Sequence, residues 1–319
     1  MISAKDLLKL KSLDISSRIP KTLDFDFSSV SKKIDTYEEF ESQVLQNFYS
    51  GRQLFYRGER INSPKRNLLP TMYRNPEALF KDNDIGFVHI DAKYIYNYYS
   101  SLGSFVEVFN KTMGEANENN LYDICAFAQH YYHSSPFIDF TKSLYPSLSF
   151  ALKDREAFYE DIVLYVLEIK NRDDYTNRIE VANQWLKDIN VYVSHFDENE
   201  LRKIVKEILD NKKLFISDDI KQFIDQINTP PTPIAKLIDV PTNTRMKFQL
   251  GVFLMLTDFQ LLNVRYFTKN IREQFSITKF IISKDIYPKI KLLIEREAPW
   301  YKYKCLTDVE SAFNIATKE

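Results

Sequence analysis

Arg57 ends an apolar, aromatic run and is followed at once by Gly58, in the stretch "QLFYRGER" (residues 53–60). A guanidinium at a strand end offers a planar, permanently charged fork that suits a phosphate or a carboxylate. A glycine beside it lets the backbone turn sharply or come close to a ligand. The same arginine also fits a structural ion pair with an acid such as Asp139. A second polar set lies in "AFAQHYYHSSPFIDFTKSLYPSLSFAL" (126–152). There Gln129 and His130 end an apolar helical run, and Asp139 and Thr141 interrupt an apolar one. Polar groups in such places need partners, from a ligand or from the fold. His130 and His133 fall on one helix face, but no third strong ligand follows at metal-binding spacing, which favours structural hydrogen bonds. Thr141 or Ser143 also suits the cap of the helix that follows. The third set is "RMKFQLGVF" (245–253). Read as a strand, it puts Arg245, Gln249 and Gly251 on one face, as the lining of a cleft or as a plain sheet edge.

These groups come from distant parts of the chain, so a sheet must bring strand ends together for them to meet. Runs at 53–58, 136–141, 161–170, 245–256 and 275–284 have the length and composition of strands. Residues 68–80 read as a loop into a helix with Pro76 at its first position. Helical spacing runs through 36–50, 87–113, 117–133, 145–160 and 285–297. The first of these carries a capping box, Thr36 with Glu39, and stops at Gly51. Residues 1–35 read as a lead-in. Residues 171–228 are charged and amphipathic, a helical insertion, and the proline-rich 228–243 is an extended crossover. The expected fold is α+β: a helical N-terminal half packed on a mixed, largely antiparallel sheet, with residues 36–319 forming one domain that carries the insertion.

Composition limits the partners. The 319 residues carry 43 basic and 44 acidic side chains for a net charge of -1. Nothing global draws the chain to nucleic acid or to an anionic membrane. Cys125 and Cys305 lie far apart without CxxC spacing, which argues against a disulfide framework and fits a reducing, cytoplasmic setting. The first residues show no secretory pattern, and no run approaches the ~18 apolar residues of a membrane span.

Taken in order, "FYRGE", "LLPTMYR", the 126–152 stretch, "RMKFQLGVF" and the late "FIISKD" and "LTDVESAF" resemble the FRG domain family, named for a Phe-Arg-Gly motif. The resemblance runs over residues 38–315. Tyr56 stands where the motif has Phe, and Tyr132, Ser134, Ser135 and Pro136 replace a Gly and a Pro-Thr-Arg. The family's occurrence in bacterial and phage genomes implies a role in antiviral defence. A weaker likeness is to ADP-ribosyltransferases of the Arg-Ser-Glu type. Arg57 matches their first motif and "DFTKS" before "YPSLSFAL" their second, but Gln249 and Gly251 stand where a late Glu belongs. That likeness implies an ADP-ribosyltransferase-like core and NAD or a related nucleotide as ligand. Arg57 would grip the pyrophosphate, helped by Gly58, Gln129, His130 and Arg245. Asp139 and Thr141 would order the ribose side, and Gln249 or Glu59 would act near the anomeric carbon. A neutral amide there stabilises an oxocarbenium-like centre less well than a carboxylate. The expected activity is therefore that of a transferase or NAD glycohydrolase, as a toxin or effector. The alternatives are a non-catalytic module that senses a nucleotide or phage component, and an interaction protein that uses 171–228 as its partner surface.

Overall fold

The computed structural model describes residues 19–20, 30–62, 68, 79–81, 87–90, 137–152, 160–193, 235–239, 247–256 and 273–302. The capping box at Thr36 is formed: Glu39 N donates to Thr36 Oγ1 at 3.2 Å and Thr36 N donates to Glu39 Oε2 at 3.1 Å. It starts helix α1, which runs through Tyr37–Phe40, a π-helical Glu41–Leu45 and Gln46–Tyr49. Gly51 follows at φ 73°, a left-handed conformation that suits a residue without Cβ.

Seven strands form one sheet in the order β2-β10-β7-β3-β6-β9-β8. They are β2 (Ser31–Ile34), β3 (Leu54–Glu59), β6 (Ile138–Thr141), β7 (Ile162–Ile169), β8 (Ala235–Ile238), β9 (Gly251–Leu256) and β10 (Phe275–Ile282). All pairs are antiparallel except β2 with β10. A smaller antiparallel sheet pairs β1 (Ile19–Pro20) and β4 (Leu79–Lys81) with β5 (Phe87–Ile90). The mixed, largely antiparallel sheet with helices makes this an α+β protein.

One face of the large sheet is covered by α1, α2 (Leu144–Ala151) and α4 (Tyr287–Glu297). Phe40 and Val44, Leu144 and Leu148, and Ile290 and Leu293 pack there against Leu54, Tyr56, Leu164 and Phe280. The opposite face is buried too, at Phe55, Val163, Tyr165 and Leu167. Burial on both sides explains why the start of β7 reads as an unbroken apolar run instead of an alternating one. Helix α3 (Arg172–Val193) opens the stretch read as an insertion, with Asn171 Oδ1 accepting from the amides of Asp173 and Asp174, each at 3.1 Å. Tyr175 on α3 accepts a 2.7 Å hydrogen bond from Leu237 N of β8, and its ring meets Phe275 of β10 edge-on at 5.7 Å. Four strands separate β8 from β10 in the sheet order, so the sheet curves far enough for one side chain to touch both. Burial pushes the Tyr175 phenol up to about 12.

Three expectations change. The runs at 79–81 and 87–90, read as parts of helices, form strands that pair with each other, because short aromatic and β-branched runs take the state their neighbours offer. Ser31–Ile34, inside the stretch read as lead-in, joins the large sheet. The run 245–256 is a strand only from Gly251. Lys247–Leu250 forms a turn closed by Leu250 N donating to Lys247 O at 3.1 Å, with Leu250 at φ 50°. Gln249 and Gly251 therefore do not share a strand face. The helix read over 117–133 lies outside the described residues. Among the described residues no helix is long and apolar enough to cross a membrane.

Candidate functional site

Arg57 sits on the face of β3 turned away from α1, α2 and α4. Its cross-strand neighbour is Tyr165 on β7, and the neighbour of Tyr165 on the other side is Lys279 on β10. One rung thus carries two cations with a phenol between them. Arg57 Nε and Nη2 both donate to Glu59 Oε1, at 2.9 and 2.6 Å. Nη1 donates to the Asp139 carbonyl at 2.8 Å and lies 3.7 Å from its carboxylate. The pair is nearly sealed, with 13% of the Arg57 side chain and 9% of the Glu59 side chain exposed. Burial opposes the charge on Arg57, but Glu59 and then Asp139 outweigh it, so the pKa rises and the guanidinium stays protonated. Lys279 is buried with Nζ 5.8 Å from the centre of the Tyr165 ring, and burial pushes its pKa below the ordinary value.

Thr141 has another setting. It pairs with Tyr56 across β3 and β6. Its hydroxyl donates to the Gln249 carbonyl at 2.7 Å and accepts from Ser143 N at 3.1 Å. Lys142 N donates to the Leu250 carbonyl at 3.0 Å, so the Lys247–Leu250 turn is fastened to the entry of α2. The single hydroxyl proton of Thr141 is committed to backbone. Gly58 does provide a close approach, and the element that approaches is α2: a Cβ at Gly58 would lie 1.8 Å from the Ser147 carbonyl oxygen.

Arg57 and Asp139 therefore meet across the adjoining strands β3 and β6, whereas Gly58 and Thr141, level with Tyr56, belong to the opposite, helix-covered face, and Gln249 is held to Thr141 through its carbonyl. Gln129, His130 and Arg245 lie outside the described residues. Lys279 and Tyr165 were not picked out from the sequence. A signal existed for the lysine: in "FSITKFII" it follows Phe275 and Ile277 at period two, at a position that alternation marks as buried. The pairing of Arg57 with Glu59 was likewise legible as two residues of opposite charge on one strand face. Among the described residues, no group of three His, Cys, Asp or Glu could hold a metal ion.

Arg57 thus lies within β3, paired with Glu59 on the same face of the strand. Residues 52–160 match the family model of the FRG domain, which is present in this chain over that stretch. No curated protein and no solved structure matches the chain.

Proposed function

We propose that this protein binds a nucleotide-like anion, with NAD as the first candidate, on the Arg57 face of the sheet, and that it acts as a sensing module. The observation that supports this most is the Arg57–Tyr165–Lys279 rung. Two cations on one buried face, one of them oriented by Glu59 and the Asp139 carbonyl, suit phosphate oxygens. Of the five guanidinium N–H groups, Nε, one at Nη1 and one at Nη2 are engaged with Glu59 and Asp139. The commitment of the Thr141 hydroxyl to backbone favours binding over turnover.

The test is calorimetric titration with NAD, ADP-ribose and ATP against wild type and Arg57→Lys. Lysine keeps the charge and loses the fork. The expected result is binding by wild type that weakens at least tenfold in the variant and falls with added salt. No binding of any of the three, or equal binding by both proteins, overturns the reading.

A second reading, turnover of NAD by a transferase or glycohydrolase acting as a defence effector, draws on the Glu59 carboxylate beside Arg57. Release of nicotinamide on incubation with NAD, abolished by Glu59→Gln, would establish it in place of sensing.

A further inference from the structure

The opposite, helix-covered face of the same strands holds an open cleft that owes nothing to Arg57. Two rungs build its base. One is Tyr56–Val166–Thr278 and the other Leu54–Glu168–Ser276, running across β3, β7 and β10. Helix α1 roofs it from Gln43 to Asn47, where the π-helical segment gives way to its last turn. The volume is about 210 Å³.

Tyr56 is the unusual residue. It is 2% exposed, it lines this cleft, and its hydroxyl has no hydrogen-bond partner among the described residues. Among the described residues only Ser149 Oγ is both fully buried and unpaired, so the Tyr56 hydroxyl keeps contact with the open space of the cleft. Around it the Gln43 amide and the Ser276 and Thr278 hydroxyls also have no side-chain partner among the described residues. Four polar groups that can donate and accept thus converge above an apolar floor of Leu54, Val166 and Phe280.

The charges in the lining cancel. Arg52 holds Glu168 in a two-point pair, Nε to Oε1 at 2.9 Å and Nη2 to Oε2. An ionic ligand would have to split that pair, and an uncharged one would not. The volume lies below the ~300–1,000 Å³ of drug-sized sites, which suits a ligand of about ten heavy atoms. A small flat ring with donor and acceptor edges fits all three constraints: its faces meet the apolar floor and its edges meet the hydroxyls and the amide.

We propose that this cleft is a binding site for an uncharged, nucleobase-sized heterocycle anchored on the Tyr56 hydroxyl. The site is separate from the Arg57 face and does not depend on the reading given to that face.

The experiment titrates the full chain with free adenine, guanine, cytosine and uracil, none of which carries a phosphate, and follows binding by calorimetry. Tyr56→Phe removes one oxygen and leaves the ring packing in place. Thr278→Val, on a different strand, removes a second anchor and guards against a folding failure of the first variant. The expected result is saturable binding of at least one base by wild type, weakened at least tenfold in Tyr56→Phe and measurably in Thr278→Val. The unliganded melting temperature of Tyr56→Phe should be unchanged or higher. Absence of binding by all four bases overturns the proposal. So does binding that neither substitution weakens, since the base would then sit elsewhere.

Discussion

Alternate residues of β3 serve opposite faces of the sheet. Tyr56 and Gly58 face the helices, while Arg57 and Glu59 face away from them. Gly58→Ala should cost about 3 kcal/mol, since the new methyl group would collide with the backbone of α2 and not with a side chain that can move. Urea denaturation measures this as a lower midpoint at unchanged slope. Glu59→Gln leaves the buried Arg57 charge with only the more distant Asp139 carboxylate and should cost about 3 kcal/mol in the same assay. Lys279 gives a pH signature. Its folded-state pKa lies below the ordinary 10.5, so the unfolded chain binds the proton more tightly. Between the lowered value and 10.5 the unfolded chain therefore holds more protons, and stability rises with pH across that window. Lys279→Met should stabilise the protein at neutral pH, with an advantage that shrinks as pH approaches 10.5, and should weaken anion binding. Paired denaturation curves at neutral pH and near 10.5 decide it.

At the scale of elements, the Thr141 hydroxyl fastens the Lys247–Leu250 turn to β6 and α2 together with the Lys142 amide, which donates to the Leu250 carbonyl. Thr141→Val should leave the Gln249 carbonyl and the Ser143 amide without that partner, at a cost of about 2 kcal/mol. Faster amide hydrogen exchange at Ser143, with α4 unaffected, would localise the loss. Elements with a local cause were legible in the sequence: the capping box at Thr36, the run of β7, and α4 with Pro288 in its first turn. Elements whose state depends on a distant partner were not. β2 is four residues with two lysines and exists because β10 offers it an edge. The helical readings that end at 80 and begin at 87 gave way to the pairing of β4 with β5. The turn before β9 looked like strand because it runs straight into the apolar Gly251–Leu256, and nothing local announces the left-handed Leu250. The same division holds for the candidate site. Arg57, Asp139 and Thr141 stood out as polar residues ending or breaking apolar runs. The rung that joins Arg57 to Lys279 depends on strand order, which one sequence does not reveal.

For the whole molecule, both ends of the large sheet need protection. β2 forms one edge, and Lys32 and Lys33 are exposed there. Charge on an edge strand discourages pairing with another copy. Replacing both lysines with valine should raise aggregation, read as light scattering at constant concentration, with little change in the denaturation midpoint. The curvature that brings β8 and β10 to Tyr175 wraps the sheet around the face of Arg57 and Lys279, and Asp139 beside Arg57 keeps 52% of its side chain exposed.

The single parallel pair, β2 with β10, has a consequence for how the chain is made. Lys279 lies about 250 residues beyond its partner Ser31. On a ribosome, where segments emerge from the N-terminus onward, the first strand of this sheet must wait unpaired until nearly all the rest has been synthesised. The sheet cannot be completed piece by piece during translation. Its last step is a long-range closure, and pairings of such sequence separation form slowly.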